Sequence, residues 1–295
     1  MGYGSYSAAD WSKLKASRQL SNTQSASEVF KRKSCNPKFD PRYIGTRECF
    51  DSDDHPNSTP IVVGLDVTAS MGYLAVKVAA EALNELIMKL YSTESIEDPA
   101  LMCAAYGDCR DTFPLQVTQF ESDIRIAEQL LELYFEDGGQ GQVVPTCLWH
   151  FLANHTNIDA INKRKQKGFV FTIGDEAEIR RNPSVAATIQ SVIGDEINDT
   201  SPEAVLKEAE KKFHLFHIMI GGDNTYNRQL MNGHTMTIQK TDIDLIPQII
   251  ISTIQLQNGK KLKDVLEQWD ALEIPRLENI LGQLQITTAK RGFFL

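Results

Sequence analysis

Three oxygen-bearing side chains stand at alternate positions directly after an apolar run. The run is Ile61–Leu65, and Asp66, Thr68 and Ser70 follow it. A carboxylate and two hydroxyls are hard oxygen ligands, the kind that Mg²⁺ and Mn²⁺ prefer. If the run is a buried strand, the three side chains lie at its carboxyl end, where open α/β sheets bind ligands. The spacing therefore predicts a divalent cation site.

Two further residues extend this predicted site. Asp175 ends a second apolar run at 168–174, and Thr146 begins a predicted helix after a glycine-rich segment at 137–142. Both loops should lie on the same edge of the sheet as the first one. We therefore expect one metal-ligating set, which comprises Asp66, Thr68, Ser70, Thr146 and Asp175. Because the hydroxyls of Thr68 and Ser70 are neutral ligands, a bound cation would keep residual positive charge and could accept a carboxylate from a partner.

The elements that position these residues alternate along the chain. Apolar runs without polar alternation predict strands buried on both faces, at 61–66, 101–108, 115–119, 168–176, 214–223 and 235–239. Helical spacing and capping residues predict helices between them, at about 72–91, 145–155, 183–193, 201–213 and 242–257. This order predicts a doubly wound α/β fold with a mostly parallel sheet and helices on both faces.

Composition divides the 295 residues into three parts. Residues 1–59 are polar and predict an irregular N-terminal arm, with short helices at 8–14 and 26–31 and an extended stretch at 36–43. Residues 60–257 carry the α/β domain, and residues 258–295 predict a helical C-terminal extension whose apolar faces need a partner.

Charge and hydropathy exclude some classes of partner. The net charge of -9 argues against sequence-independent nucleic-acid binding, which needs a basic surface. No apolar run approaches the ~20 residues that span a bilayer, so we expect no membrane partner. The N-terminus lacks the apolar core of a signal peptide, and the five cysteines form no Cys-x-x-Cys pair. Reduced thiols in a cytoplasmic protein are the expected state.

The motif and its context resemble the von Willebrand factor type A (VWA) family, in its intracellular bacterial or phage form. The family's Asp-x-Ser-x-Ser occurs here as Asp66-Val67-Thr68-Ala69-Ser70, with a hydroxyl conserved at the Thr, and Gly72 follows. The family's third-loop Thr-Asp-Gly occurs as Gly174-Asp175-Glu176, with Gly in place of Thr. Thr146 corresponds to the family's middle-loop Thr. The similarity in element order covers about residues 60–257.

This resemblance implies a metal-ion-dependent adhesion site (MIDAS) and a role in binding rather than catalysis. It implies that Mg²⁺ or Mn²⁺ links the domain to a carboxylate of a protein partner. For intracellular members it implies an adaptor role, with a ring-forming AAA+ ATPase of the MoxR type, or its substrate, as the partner.

Two alternatives remain open on the sequence. The chain could be a metal-independent oligomerising scaffold that assembles through its arm and C-terminal helices. It could also be a Mg²⁺-dependent phosphohydrolase with Asp66 as nucleophile, although the general-acid carboxylate expected two residues later is Thr68.

Other titratable residues receive structural interpretations. His150 and His155 are five residues apart, so on one helix they should diverge, one partly buried and one exposed. Asp108 and Asp223 end apolar runs and are expected to be turn or capping residues, with Asp108 also a candidate to support the cation site.

Overall fold

A computed structural model of the chain describes residues 7–20, 24–78, 82–93, 96–136, 138, 143–176, 185–198, 201–222 and 225–286. Its strands, in chain order, are β1 (Arg47–Cys49), β2 (Thr59–Asp66), β3 (Pro99–Tyr106), β4 (Leu115–Val117), β5 (Thr156–Ile158), β6 (Gly168–Gly174), β7 (Phe213–Ile220) and β8 (Thr235–Ile238). Its α-helices are α1 (Ala8–Arg18), α2 (Ala26–Val29), α3 (Gly72–Lys77), α4 (Leu83–Ser92), α5 (Arg125–Leu130), α6 (Pro145–Asn154), α7 (Asp159–Arg164), α8 (Val185–Val192), α9 (Pro202–Ala209), α10 (Thr225–Leu230), α11 (Ile246–Gln257), α12 (Leu262–Leu266) and α13 (Ile274–Leu281).

The central sheet is mostly parallel. In the described part of the chain it has six strands in the order β4-β3-β2-β6-β7-β8, and β4 alone runs antiparallel to its neighbour. The register places Asp66 opposite Tyr106 on β3, and Leu65 opposite Ile173 on β6. The carboxyl ends of β2, β3 and β6 therefore meet at one edge, which confirms the α/β fold class and brings the loops after these strands together.

The two faces of the sheet bury separate cores. On β2, Ile61, Val63 and Leu65 face a core that includes α4, α5, α11 and α13, whereas Val62 faces a core that includes α6, α8 and α9. Alternate residues of a strand point to opposite faces, so an apolar run without polar alternation is what a two-sided sheet requires. Helix α6 approaches β2 so closely that a Cβ on Gly64 would lie 2.5 Å from Leu148 Cδ2.

Part of the N-terminal arm is paired with the domain through a second, two-stranded parallel sheet of β1 and β5. Arg164 Nη1 contacts Asp51 Oδ2 at 2.5 Å, and its Nη2 donates to the Ser58 carbonyl at 2.8 Å. The Phe39 carbonyl accepts a hydrogen bond from the Val117 N–H at 2.8 Å. These contacts join residues 39–58 to β4, β5 and α7.

The C-terminal extension covers the outer edge of β8. The side-chain amide of Gln283 accepts from the Thr237 N–H at 2.9 Å and donates to the Thr237 carbonyl at 3.0 Å. Leu277, Ile280 and Leu281 of α13 are buried in the core that includes α11. The apolar face of α13 thus packs on its own domain. The division of the chain into arm, domain and extension stays a prediction.

Several predicted elements differ from the structure. The helix expected over about 72–91 is described as α3 and α4, and residues 79–81 between them lie outside the described residues. The stretch expected to be extended contains a 3₁₀ turn, Pro41–Tyr43. Helix α11 begins at Ile246, because the preceding Lys240–Leu245 forms a 3₁₀ helix capped by Gln239 and Asp242.

Other predictions fall partly outside the described residues, namely the loop residues 137 and 139–142, the helix start at Pro183, and Asp223. Among the helices that are described, none is both long and apolar enough to cross a bilayer.

Candidate functional site

The side chain of Asp66 is fully enclosed at the carboxyl end of β2. Its Oδ1 accepts two hydrogen bonds from Thr68, from the backbone N–H at 2.9 Å and from the hydroxyl at 2.7 Å. Its Oδ2 is also buried, but it has no hydrogen-bond partner among the described residues. A buried carboxylate oxygen without a donor is costly, so Oδ2 is the atom of this site that most needs a ligand.

A row of close oxygen contacts leads from Asp66 to the surface. The hydroxyls of Thr68 and Ser70 are 3.1 Å apart, and the Ser70 hydroxyl donates to Asp175 Oδ1 at 2.9 Å. Ser70 is exposed, whereas Thr68 is buried. The structure therefore brings together four of the five predicted residues: Asp66 at the end of β2, Thr68 and Ser70 after it, and Asp175 after β6. A hydroxyl that donates to a carboxylate keeps its oxygen lone pairs available for a cation.

Negative charge at this edge is concentrated and poorly solvated. Burial raises the pKa of Asp66 to about 7, the hydrogen bonds from Thr68 oppose the increase, and Asp175 and Glu176 add to it. A group whose ionised form is destabilised by burial and by like charges is stabilised by a nearby cation.

Gly174 leaves room for Asp66. A Cβ on Gly174 would lie 2.9 Å from Asp66 Cβ, Asp66 Oδ2 and the Tyr106 hydroxyl oxygen. The Tyr106 hydroxyl donates to the Ile173 carbonyl at 3.0 Å, so the ring fills the space beside the strand end. The glycine at position 174 therefore has a packing reason, because a side chain there would not fit.

Thr146, the fifth predicted residue, is buried in the first turn of α6. The segment before α6 is joined to the end of β3, because the Val144 N–H donates to the Gly107 carbonyl at 3.1 Å. The Gly138 carbonyl accepts from the Ala69 N–H at 2.8 Å, so the same loop also contacts the Asp66 loop. Thr146 thus lies at the same edge of the sheet, and its role as a ligand stays a prediction.

Two acidic residues at this edge were not predicted as part of the site. Glu176 has a buried Oε2 without a hydrogen-bond partner in the described residues, and burial together with Asp175 and Asp108 raises its pKa. Asp111 Oδ2 accepts from the Asp108 N–H at 2.9 Å, and burial raises the Asp111 pKa to about 6. Glu176 follows Asp175 directly in the sequence, so a second acidic residue after the strand could have indicated it. No feature of the sequence indicated Asp111.

Asp108 accepts from the Arg110 N–H at 2.9 Å, as expected of a turn residue.

The expectation that His150 and His155 diverge is wrong. Both Nε2 atoms contact Asp195 Oδ2, at 2.7 Å and 2.8 Å. The reason is that His155 lies just past the end of α6 with non-helical angles, φ -113 and ψ 27. Its side chain therefore does not follow the helical rotation on which the expectation rested.

The residues present at the Asp66 edge fit a divalent cation. The partnerless Asp66 Oδ2, the hydroxyls of Thr68 and Ser70, and the Asp175 carboxylate offer oxygen donors alone. Hard oxygen donors suit Mg²⁺ or Mn²⁺ rather than a thiolate- or imidazole-seeking metal.

No protein family model matches the chain, and no curated protein matches it. Similar solved structures include proximal thread matrix protein 1 from the mussel byssus, at 14% identity and a TM-score of 0.45, covering 71% of this chain and 49% of that one. The pilus adhesin SpaC from Lactobacillus rhamnosus GG is 10% identical with a TM-score of 0.46, covering 70% of this chain and 32% of that one. The vWF domain of the type V pili tip protein Mfa5 from Porphyromonas gingivalis is 12% identical with a TM-score of 0.42, covering 69% of this chain and 97% of that one. This chain spans about half of the mussel protein and about a third of SpaC. The assignment of its fold class rests on the topology of its own sheet.

Proposed function

We propose that this chain is a VWA-type binding protein that docks a carboxylate of a protein partner through a divalent cation. In this proposal Asp66, Thr68, Ser70, Thr146 and Asp175 form a MIDAS-like site for Mg²⁺ or Mn²⁺. The observation that carries it is Asp66 Oδ2, a buried carboxylate oxygen with no hydrogen-bond partner among the described residues. When bound, the cation supplies residual positive charge, because the hydroxyl ligands carry no charge to neutralise it.

Thr68 and Ser70 have different roles around Asp66. Thr68 holds Asp66 in place through its two hydrogen bonds and leaves Oδ2 to face the ligand. The exposed Ser70 lies between the Thr68 hydroxyl and Asp175, so the site opens to solvent on the side where a partner would approach. Thr68 also stands where a phosphohydrolase would need its general-acid carboxylate, which favours binding over phosphoester hydrolysis.

We further propose a MoxR-type AAA+ ATPase, or a substrate of that ATPase, as the partner, and the cytoplasm as the location. The structure, which describes all five cysteines, has no disulfide among them, which agrees with a reducing compartment. The net charge of -9 disfavours nucleic acid as the partner.

Calorimetric titration of Mg²⁺ and Mn²⁺ tests the cation. We expect saturable binding to the wild type and a loss of at least tenfold in affinity in Asp66→Asn and Ser70→Ala. Asp244→Asn is the matched control, because Asp244 is an exposed carboxylate paired with Arg276 and should leave the affinity unchanged. Equal Mg²⁺ affinity in wild type and Asp66→Asn would overturn the cation site.

A peptide array tests the carboxylate. Peptides that contain Glu or Asp should bind the wild type in Mg²⁺ and fail to bind in EDTA, and their Gln or Asn counterparts should fail in both. Turnover of a generic phosphoester that disappears in Asp66→Asn would instead support the phosphohydrolase. An oligomer in sedimentation experiments that persists in EDTA, with no peptide binding, would support the scaffold.

A further inference from the structure

A second cluster of metal-ligating atoms lies at the other end of α6. His150 Nε2 and His155 Nε2 contact Asp195 Oδ2 at 2.7 Å and 2.8 Å, and the ligand atoms of the three residues all lie within 4.8 Å of one another. The side chains are 9%, 18% and 30% exposed in the order His150, His155 and Asp195. The cluster is thus sheltered, but it remains open to water on the Asp195 side.

This cluster is separate from the Asp66 site. Thr146 is in the first turn of α6, whereas His150 is one turn further along and His155 follows the helix end. A helix rises about 1.5 Å per residue, so His150, four residues after Thr146, lies about 6 Å further along α6, and His155, beyond the helix end, lies farther still. The two sites also differ in chemistry, since one offers oxygen donors only and the other offers two imidazoles and one carboxylate.

The contacts of His155 indicate that a proton or a metal cation lies between its Nε2 and Asp195. Its Nδ1 lies 2.9 Å from the Gly45 carbonyl oxygen, which can only accept, so Nδ1 carries a proton. A neutral imidazole has one N–H, which leaves a lone pair on Nε2 facing a carboxylate oxygen at 2.8 Å. Two lone pairs at this distance repel unless a proton or a metal cation lies between them.

The same arrangement is what a metal-ligating histidine requires. A backbone carbonyl that accepts from Nδ1 fixes the tautomer and turns Nε2 toward the metal. Here that carbonyl belongs to Gly45 of the N-terminal arm, while Asp195 follows α8. The three ligands and their support therefore come from three separate segments that the fold brings together.

We propose that His150, His155 and Asp195 bind a zinc-class transition-metal ion, with water in the remaining coordination position. Two imidazole nitrogens and one carboxylate oxygen are a ligand set that Zn²⁺ accepts in tetrahedral geometry with one open position. Zn–N and Zn–O distances of about 2.0–2.2 Å place tetrahedral ligands roughly 3.3–3.5 Å apart. The ligand atoms must therefore separate by about half an ångström from their present hydrogen-bonded contact, and any proton shared with Asp195 leaves on binding.

The test is a Zn²⁺ titration of the full chain without an affinity tag, followed by calorimetry in excess Mg²⁺ so that the oxygen site is saturated. We expect one equivalent of Zn²⁺ to bind. His155→Gln and Asp195→Asn should each weaken binding by at least 30-fold. The same protein loaded with Co²⁺ should show the visible absorption bands of a low-coordinate nitrogen and oxygen site, and both variants should lose them.

Two controls keep the result interpretable. His55→Gln changes a histidine that pairs with Asp98 at 3.7 Å, outside the cluster, and should retain both Zn²⁺ affinity and Co²⁺ spectrum. Asp66→Asn should also retain them, which separates this site from the proposed Mg²⁺ site. Circular dichroism confirms that each variant is folded. Zn²⁺ affinity that is unchanged in Asp195→Asn and His155→Gln, or absent in the wild type, overturns the proposal and leaves a proton as the shared charge.

Discussion

Gly174 lies against the side chain of Asp66 with room for a hydrogen atom but not for a methyl group. A Cβ at this position would be 2.9 Å from Asp66 Cβ and from Asp66 Oδ2, closer than carbon and oxygen atoms pack. Because Asp66 Cβ is fixed by a buried strand, the contact cannot be relieved by rotating a side chain. The side chain of Asp66 therefore keeps its place only while residue 174 is a glycine.

Gly174→Ala should destabilise the protein by about 1–3 kcal/mol, the usual cost of overpacking, and Gly174→Thr should cost more because its side chain is larger. Both should weaken Mg²⁺ binding by displacing Asp66. Urea unfolding and calorimetry measure the two effects. Gly45→Ala is the control, since a Cβ there meets nothing within 4 Å. A Gly174→Thr variant as stable as the wild type would contradict the packing argument.

Asp66→Asn should abolish the thermal stabilisation that Mg²⁺ gives. A ligand at 100 times its dissociation constant adds about 2.7 kcal/mol to the folded state, so the wild-type melting temperature should rise with Mg²⁺. In EDTA at pH 8 the Asn variant should be at least as stable as the wild type, because it removes a buried negative charge whose pKa is raised to about 7. Equal responses of the two proteins to Mg²⁺ would count against Asp66 as a ligand.

His217 should make the protein less stable in mild acid. It is fully buried on β7, with Nδ1 at 2.9 Å from the Thr172 hydroxyl, and burial lowers its pKa from 6.5 to about 4. The unfolded chain therefore binds more protons between these two values, and the free energy of unfolding falls as the pH drops through this window. Above pH 6.5 His217 is neutral in both states and costs no stability. Between pH 7 and pH 5 the free energy of unfolding should fall by about 2 kcal/mol because of this residue.

Urea unfolding of His217→Gln at pH 7 and pH 5 checks this expectation. The variant should be less stable than the wild type at pH 7, since it disturbs a buried contact, but its decline toward pH 5 should be smaller by about 2 kcal/mol. Parallel pH profiles for the two proteins would show that His217 is not the group responsible.

Arg164→Ala should release part of the N-terminal arm. Arg164 and Asp51 are only 18% and 13% exposed in their side chains. Removing the guanidinium leaves the sheltered Asp51 carboxylate with only the exposed Lys163 amine, 3.7 Å from its Oδ2, at a cost of about 2–4 kcal/mol. Limited proteolysis near residues 45–55 should become faster. Lys211→Ala breaks an ion pair whose side chains are 63% and 56% exposed, and it should change stability by less than about 0.5 kcal/mol. Equal losses of stability in Arg164→Ala and Lys211→Ala would show that Arg164 does not hold the N-terminal arm in place.

The sequence allowed prediction of the sheet because its strands are continuous apolar runs, which burial on both faces demands. The convergence of Asp66, Thr68, Ser70 and Asp175 followed from that sheet, since the ends of parallel strands share an edge. Strands β1 and β5 could not be predicted, because Arg47-Glu48-Cys49 and Thr156-Asn157-Ile158 are short and partly polar, and each depends on the other for pairing.

The histidine cluster was missed for a related reason. Asp195 is 45 residues from His150 and 40 from His155, and no local spacing relates an acid at such a distance to a helix end. Asp111 is similar, since its burial depends on the turn after β3 and on Gly138 of a separate loop.

The contact between Gln283 and Thr237 bears on how the chain behaves at high concentration. By accepting from the Thr237 N–H and donating to its carbonyl, the Gln283 amide occupies the hydrogen-bonding groups that a strand from another molecule would use. Exposed edge strands are templates for intermolecular sheets and aggregation. A chain shortened to residue 258 would uncover this edge and should aggregate, whereas a scaffold that assembles through its C-terminal helices should become monomeric on the same truncation.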